Sequence, residues 1–137
     1  MNEKPNRFDE GLALRKAVVG EGYVARSFAN ADQFTQEFQD YVTEFCWGVT
    51  WTRDGIDHRT RSLVTVTALA TMGKSAELQS HTRGALRNGA TPEEIKEILL
   101  HLAVYAGVPT ALEAFRAVQP VIASYRENGD RVVEPTD

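Results

Sequence analysis

The spacing of apolar residues along the chain predicts helices throughout. From position 92 to position 106 these residues recur every three or four positions, at Ile95, Ile98, Leu99, Leu102 and Tyr105, which is the period of one helix face. No run alternates polar and β-branched residues in the way a half-buried strand does. The pattern therefore predicts an all-α fold of about six helices.

Start and stop signals divide this pattern into elements. In the helix at 92–106, Thr91 is the predicted cap, Pro92 suits the first position and Glu94 completes a capping box. The other predicted helices span 7–19, 33–46, 58–72, 76–88 and 110–127, with Asp32, Asp57 and Ser75 as caps. Loops are predicted at 20–31 and 47–57, and Pro120 should kink or break the last helix.

Length and composition indicate one ordinary globular domain. The chain has 137 residues, of which 42% are hydrophobic and 25% charged, so we expect a single domain over 1–137 with a core at 7–126. The polar stretch 129–137 is expected to be a frayed tail. No apolar run approaches the roughly 20 residues that span a bilayer, and the first residues carry no apolar signal segment. With a single cysteine, Cys46, these features favour a cytoplasmic protein.

Charge and motifs exclude several classes of function. Fifteen Lys and Arg residues against nineteen Asp and Glu residues give a net charge of −4, which argues against binding nucleic acid. The chain lacks a glycine-rich phosphate loop, a nucleophile elbow and the HExxH spacing, and it has three scattered histidines. No cofactor and no metal site are predicted.

Glu77 and His81 form the sharpest chemical signal. Their i, i+4 spacing places both on one helix face, where a carboxylate fixes the imidazole tautomer and favours its protonated form. Such a pair can act as general acid or base near neutral pH. The alternative is a solvated ion pair on a helix surface, which spacing alone favours.

Arginines and tryptophans supply further candidate site residues. Arg53, Arg59, Arg61, Arg83 and Arg87 cluster around the two central helices; an arginine fork suits a carboxylate, although solvent-facing charge explains most of the five. The segment 43–51 combines Glu44, Cys46, Trp47 and Trp51, which could line a pocket or an oligomer interface. Core packing explains these aromatic residues equally well, and Cys46 is interpreted as inert.

Several blocks of the chain, taken together, resemble the γ-carboxymuconolactone decarboxylase family. They are Glu44-Phe45-Cys46-Trp47-Gly48, Arg59-Thr60-Arg61-Ser62-Leu63, the Glu77–Gly89 stretch, Thr91-Pro92-Glu93-Glu94-Ile95 and Tyr105-Ala106-Gly107-Val108-Pro109. The resemblance covers about 7–126 in the order of the family. It implies the helical fold of the wider alkylhydroperoxidase D-like superfamily and a homo-oligomer, a trimer-based hexamer.

The resemblance also distinguishes between branches of that superfamily. The peroxidase branch has a CxxC pair before the matching histidine, and Lys74 and Glu77 stand at those two positions here. Because neither can form a disulfide, the sequence argues against thiol peroxidase activity. A glutamate of the peroxidase branch is likewise missing, since its place falls at or near Ser62.

What the resemblance implies is decarboxylation of γ-carboxymuconolactone to β-ketoadipate enol-lactone, in the catabolism of aromatic compounds through protocatechuate. This small-molecule lactone is its own electron sink, so no cofactor is needed. We expect His81 to be the hydrogen-bond donor or acid and Glu77 to orient it, although the two roles could be exchanged. Arg61 and Arg83 would bind substrate carboxylates, and Glu44 and Trp47 would shape the pocket.

Two other functions remain open on the sequence alone. A paralogous enzyme could use the same residues on another lactone or a keto acid, because one fold hosts several activities. Alternatively, the chain could be a non-catalytic helical subunit in which Glu77 and His81 form an exposed or interface pair.

Overall fold

The computed structural model describes residues 6–135, and within that range every regular element is helical, as predicted. The elements, in chain order, are α1 (Arg7–Val19), α2 (Glu21–Ala29), α3 (Gln36–Tyr41), a π-helical segment (Val42–Thr50), α4 (His58–Thr71), α5 (Ser75–Arg87), α6 (Pro92–Ala106) and α7 (Val108–Glu127). The described residues thus hold seven α-helices rather than about six. Positions 1–5 and 136–137, which include the end of the predicted tail, lie outside the described residues.

The helices with the strongest terminal signals match their predicted bounds. Both α1 and α6 begin and end where the sequence places them. At α6 the Thr91 hydroxyl accepts from the Glu94 amide at 3.1 Å, and a Glu94 carboxylate oxygen accepts from the Thr91 amide at 3.3 Å. This reciprocal capping box, followed by Pro92, satisfies amides that the first turn would leave unpaired.

The prediction of a loop at 20–31 was wrong, because most of this segment forms α2. Gly20 ends α1 at a φ of 100° and also precedes α2, so one residue separates the two helices. The left-handed region is open to glycine at little cost, which permits a sharp change of direction within a single residue. Val24 of α2 is then fully buried in the core of the first unit.

The prediction for 33–57 was wrong at both ends of the helix. The Asp32 carboxylate accepts from the amides of Phe34 and Thr35, each at 3.0 Å, but it closes a turn, and α3 begins only at Gln36. At the other end the chain continues as the π-helical segment to Thr50. Trp47 therefore lies in a helix, and its ring stacks on that of Trp51 with 4.6 Å between centroids.

Ser75 and Pro120 also behave differently from the predictions. Ser75 is the first residue of α5, and Lys74 occupies the cap position without a side-chain hydrogen bond. Pro120 does not break α7, which continues to Glu127. A helix-interior proline disturbs the hydrogen bonds of the preceding turn, and there the Gln79 side-chain amide donates to the Ala117 carbonyl at 2.9 Å.

The chain divides into two compact units, which meet in sequence between Asp57 and His58. Each unit has its own hydrophobic cluster, so the single domain stays a prediction. In the first unit the buried cluster is made of Val18, Val19, Val24, Trp47 and Trp51. In the second, α4 to α7 surround a larger cluster whose members include Val66, Leu78, Ile95, Leu99 and Val118.

Two glycines bring α1 and the π-helical segment into backbone contact within the first unit. A Cβ placed on Gly11 would overlap the Thr43 carbonyl oxygen and lie 2.6 Å from the Gly48 amide nitrogen. A Cβ on Gly48 would overlap the carbonyl oxygen of Arg7. Because the obstructing atoms are backbone, they cannot turn aside as a flexible side chain would, and any side chain here must separate the two elements.

We predict that Gly11→Ala destabilises the protein by about 2–3 kcal/mol, although alanine alone favours a helix by about 1 kcal/mol over glycine. Urea unfolding of the full chain measures the change. Gly55→Ala is the matched control, because nothing lies within 4 Å of its added Cβ and it should leave stability nearly unchanged. Equal unfolding midpoints for the two variants would contradict the close backbone contact.

Candidate active site

Helix α5 carries the predicted catalytic pair on one face. Glu77 lies in its first turn and is exposed, and His81 follows one turn later and is half-buried. The core face of the same helix is occupied by Leu78 and Ala85, both at most 1% exposed. Burial of that face fixes the rotation of α5 and therefore the side on which Glu77 and His81 stand.

Burial controls the charge of His81. It lowers the pKa of His81 from 6.5 to about 4, and the opposing field of the Glu77 carboxylate recovers only part of the shift. The Glu77 carboxylate thus favours the protonated imidazole, as expected, but burial has the larger effect on the pKa of His81. At neutral pH His81 is a neutral imidazole, able to donate one hydrogen bond and to accept another.

Arg83 stands on a different side of α5 from His81. Two residues correspond to about 200° of helix rotation, so the two side chains leave the helix in nearly opposite directions. Arg83 lines a cavity together with Gln79 of its own helix and Tyr125 of α7. As a candidate for carboxylate binding, Arg83 is therefore placed beside this cavity.

Arg61 lies on α4, near the C-terminal end of α5. Its neighbour Ser62 is fully buried and accepts a hydrogen bond from the Asn88 side-chain amide at 2.9 Å. Asn88 is the C-cap of α5, so this contact ties the start of α4 to the end of α5. Arg61 is half-buried, and its proposed contact with a substrate carboxylate stays a prediction.

Two of the other clustered arginines have carboxylate partners within the second unit. Arg59 forms an ion pair with Glu94, which also belongs to the capping box of α6. Arg87 lies 3.9 Å from the Glu134 carboxylate, measured from Nη2 to Oε1. These contacts support the structural interpretation for part of the arginine cluster.

Glu44 and Trp47 lie on the π-helical segment of the first unit. Trp47 is buried and belongs to the hydrophobic cluster of that unit, whereas Glu44 is half-buried and Cys46 exposed. The core interpretation of Trp47 is thus supported, and its role toward a substrate stays a prediction. π-helical turns are rare in proteins, and those that occur are frequently found at functional sites. The π-helical segment therefore remains a candidate part of a functional site.

Arg15 is a buried cation that the sequence analysis did not single out. Its side chain donates to the Thr43 hydroxyl at 3.1 Å and to the Gln39 side-chain carbonyl at 3.0 Å, and its guanidinium lies 5.8 Å from the ring centroid of Phe28. Burial lowers its pKa, against the effects of Tyr23 and Cys46. No short-range pattern links Arg15 to partners 24 and 28 residues away, so no sequence signal could have found this network.

Residues 6–135 contain no group of three or more His, Cys, Asp or Glu side chains placed to hold a metal ion. In the same range no helix is both long and apolar enough to cross a membrane.

Comparison with known proteins defines the class to which this all-α chain belongs. Residues 36–120 match the carboxymuconolactone decarboxylase family, and all six predicted site residues fall within that range. Since the match covers more than half of the chain, the protein belongs to this family.

Relatives with assigned activities share the decarboxylase name and differ in substrate. The chain is 40% identical over 121 residues to 4-carboxymuconolactone decarboxylase of Acinetobacter baylyi, which covers 88% of this chain and 90% of that protein. It is 42% identical over 123 residues to nitrosuccinic acid decarboxylase of Metarhizium robertsii, covering 90% and 86% respectively. A 4-carboxymuconolactone decarboxylase of Pseudomonas putida is 38% identical over 48 residues, which are 35% of this chain and 98% of that sequence.

The lowered pKa of His81 predicts a specific dependence of stability on pH. Between pH 6.5 and about 4 the unfolded chain binds more protons at this residue than the folded chain, so the free energy of unfolding falls as the pH falls. Above pH 6.5 His81 is neutral in both states and this loss of stability is absent. Between pH 6.5 and pH 4 the free energy of unfolding decreases by at most about 3 kcal/mol. Urea unfolding of the wild type minus that of His81→Gln should show this slope. His101→Gln, at an exposed histidine, should retain the wild-type slope.

The opposing effect of Glu77 gives a second prediction. Because its charge raises the pKa of His81, Glu77→Gln should lower that pKa further. An NMR titration of the His81 ring measures the shift, with Glu97→Gln on α6 as the control. An unchanged His81 titration in Glu77→Gln would contradict the electrostatic coupling within the pair.

Proposed function

We propose that this protein is a cofactor-free decarboxylase, a carboxy-lyase acting on a small carboxylate whose own structure accepts the electrons left by CO2. Membership of the carboxymuconolactone decarboxylase family carries the proposal. The position of Glu77 and His81 on one face of α5 supports the proposal, because a neutral imidazole held beside a carboxylate can donate a hydrogen bond to an oxyanion.

γ-Carboxymuconolactone is the first candidate substrate. Its departing carboxylate is on the ring carbon γ to the lactone carbonyl, with a C=C bond between. When the bond to CO2 breaks, its electron pair moves through the alkene to the carbonyl oxygen and forms a dienolate. Protonation of the α-carbon then gives β-ketoadipate enol-lactone, so the substrate supplies its own electron sink.

Nitrosuccinate is the second candidate, favoured by the 42% identity to a nitrosuccinic acid decarboxylase. Its departing carboxylate is on the carbon that bears the nitro group. The electron pair of the broken bond moves into that group as a nitronate, and protonation of the same carbon completes the reaction. With both substrates the protein must therefore stabilise negative charge that grows on oxygen while CO2 leaves.

We assign roles to the residues that would stabilise this developing charge and hold the substrate. The N–H of neutral His81 donates to the oxygen on which charge grows, and Glu77 orients the ring. Arg61 is the candidate for holding a substrate carboxylate that does not react. Arg83 leaves α5 in nearly the opposite direction from His81, so its contact with the same substrate stays a prediction. The part that Glu44 and Trp47 take in shaping a pocket stays a prediction.

The assay that tests this proposal offers both substrates to the purified protein without added metal or cofactor, and follows CO2 release together with the product NMR signals. We expect one of the two to be converted much faster. His81→Gln should lower kcat roughly 100- to 1000-fold with an unchanged helical circular dichroism spectrum, since the loss of one donor to an oxyanion has this cost. His101→Gln is the matched control and should keep wild-type turnover.

Two results would contradict these assignments. Near-wild-type turnover by His81→Gln would remove His81 from the reaction. If a folded protein accelerated neither substrate, that result would favour a paralogue with another substrate or a non-catalytic helical subunit.

We further propose that the protein is a homo-oligomer, a trimer-based hexamer. Large apolar side chains are exposed at helical spacing in the first unit, at Phe34, Phe38, Tyr41 and Phe45, and in the second unit at Val104, Tyr105 and Val108. Apolar faces of this size support contact with further copies of the chain.

Sedimentation of the wild type should give six times the 15.2 kDa chain mass. Phe38→Asp and Val104→Asp change residues that are 64% and 78% exposed, so each should reduce the assembly without unfolding the chain. A monomeric wild type would contradict the oligomer.

A further inference from the structure

A cavity of about 510 Å³ lies between α6 and α7 in the second unit. Small-molecule sites in proteins commonly have volumes of about 300–1,000 Å³, so this one has the size of a ligand site. The six candidate site residues of the decarboxylase are not part of its lining. Five large apolar side chains line it, namely Ile95 and Leu99 of α6 and Phe115, Val118 and Ile122 of α7.

The cavity is recessed into the core of the second unit. Ile95, Leu99 and Val118 are at most 3% exposed and belong to the hydrophobic cluster of that unit, and Phe115 and Ile122 are half-buried against it. The apolar faces that support the oligomer differ, because their side chains are 45% to 92% exposed. Protruding side chains can contact another protein, whereas a recessed lining is reached by a molecule small enough to enter. The depth of the cavity therefore favours a small ligand over a second copy of the chain.

The charges of the lining lie at its outer edge. Glu93 and Arg126 form an ion pair with 2.8 Å between Oε1 and Nη2, and their side chains are 63% and 54% exposed. The hydrogen bond from Arg126 holds the pKa of Glu93 below its usual value, so the pair is charged on both sides at neutral pH. Lys96 is exposed at the same edge, where water and salt screen its charge. The rest of the lining carries no charge.

This distribution favours an uncharged ligand. An ion that entered the apolar interior would lose its hydration, and the one carboxylate and one guanidinium that pair at the edge already satisfy each other. An apolar molecule gains from the same burial, in proportion to the area that it removes from water. Phe115 adds an aromatic ring to the wall, which can pack edge-to-face or offset against another ring.

We propose that this cavity binds an uncharged aromatic molecule of one or two rings. Ile95, Leu99 and Val118 form the floor on which the ring packs, Phe115 contacts it from α7, and the Glu93–Arg126 pair borders the opening. This ligand class differs from the carboxylates proposed as substrates. The site is therefore independent of the proposed decarboxylation, and either can fail without the other.

Indole is a suitable probe, because it has two fused rings and no charge, and indole-3-carboxylate adds one negative charge to the same rings. Titration of the full chain is followed through the methyl NMR signals of Ile95, Leu99 and Ile122. Val132, which lines a different cavity, is the internal reference. We expect saturable shifts of the three signals with indole, none at Val132, and binding of indole-3-carboxylate at least about tenfold weaker, since an ionised group is costly to bury.

A variant that fills the cavity tests its location. Ala123 is an exposed residue of α7 in the lining, so Ala123→Trp adds a side chain there without removing a core contact. It should weaken the binding of indole about tenfold or more. Ala68→Trp is the matched control, because Ala68 is an exposed residue of α4 that does not line the cavity, and it should leave the affinity unchanged.

A second variant tests the role of the ion pair. Glu93→Gln leaves Arg126 without this carboxylate, so the edge becomes more positive. The affinity for indole-3-carboxylate should rise about three- to fivefold, while that for indole stays within about twofold of the wild-type value.

Four results would overturn the proposal. Indole could leave the three methyl signals unmoved, indole-3-carboxylate could bind the wild type as tightly as indole, or Ala123→Trp could retain the wild-type affinity for indole. The fourth is a changed sedimentation of Ala123→Trp beside an unchanged Ala68→Trp, because the cavity would then be part of a contact between copies of the chain.

Discussion

Burial of one face of α5 is the constraint on which the rest of the candidate site depends. Leu78, Thr82 and Ala85 are almost completely buried at successive helical turns, so the rotation of this helix is fixed by the core of the second unit. Once that face is inward, the helical period assigns every polar residue of α5 to a side. Glu77 and His81 fall on one side and Gln79 and Arg83 on another. The same burial thus places the cavity lined by Gln79 and Arg83 on a different side of α5 from the candidate reaction face.

Desolvation decides the electrostatics of the pair. A carboxylate one turn away should raise the pKa of an imidazole, and Glu77 does so, but burial of His81 has the larger effect and leaves the pKa at about 4. A neutral ring near the reacting carboxylate has an advantage over a charged one. An imidazolium would form an ion pair with the localised charge of the substrate, whereas a neutral N–H offers its hydrogen bond to whichever oxygen gains charge.

The sequence predicts local structure better than it predicts contacts between distant residues. The bounds of α1 and α6 follow from spacing and from the Thr91, Pro92 and Glu94 signals, all of which act within one turn. The π-helical segment and α2 were missed because their causes are not local. Gly11 and Gly48 allow close backbone contact only after the chain has folded, and Val24 contributes to a core built with Trp47 and Trp51. For the site, the shared helix face of Glu77 and His81 was predictable from their spacing. The neutral state of His81 was not, because it depends on burial in the folded chain.

A low-polarity environment at His81 links the charge of this residue to the proposed chemistry. The environment that makes an imidazolium unfavourable also makes a localised carboxylate unfavourable, because both are compact charges taken out of water. In the transition state for loss of CO2 that charge is spread over a larger system, a dienolate in a lactone or a nitronate in a nitro acid, and a dispersed charge loses less on desolvation. The environment that lowers the pKa of His81 would therefore lower the barrier for either substrate. On this argument the choice between lactone and nitro acid depends on the groups that hold the non-reacting carboxylates, for which Arg61 is the candidate.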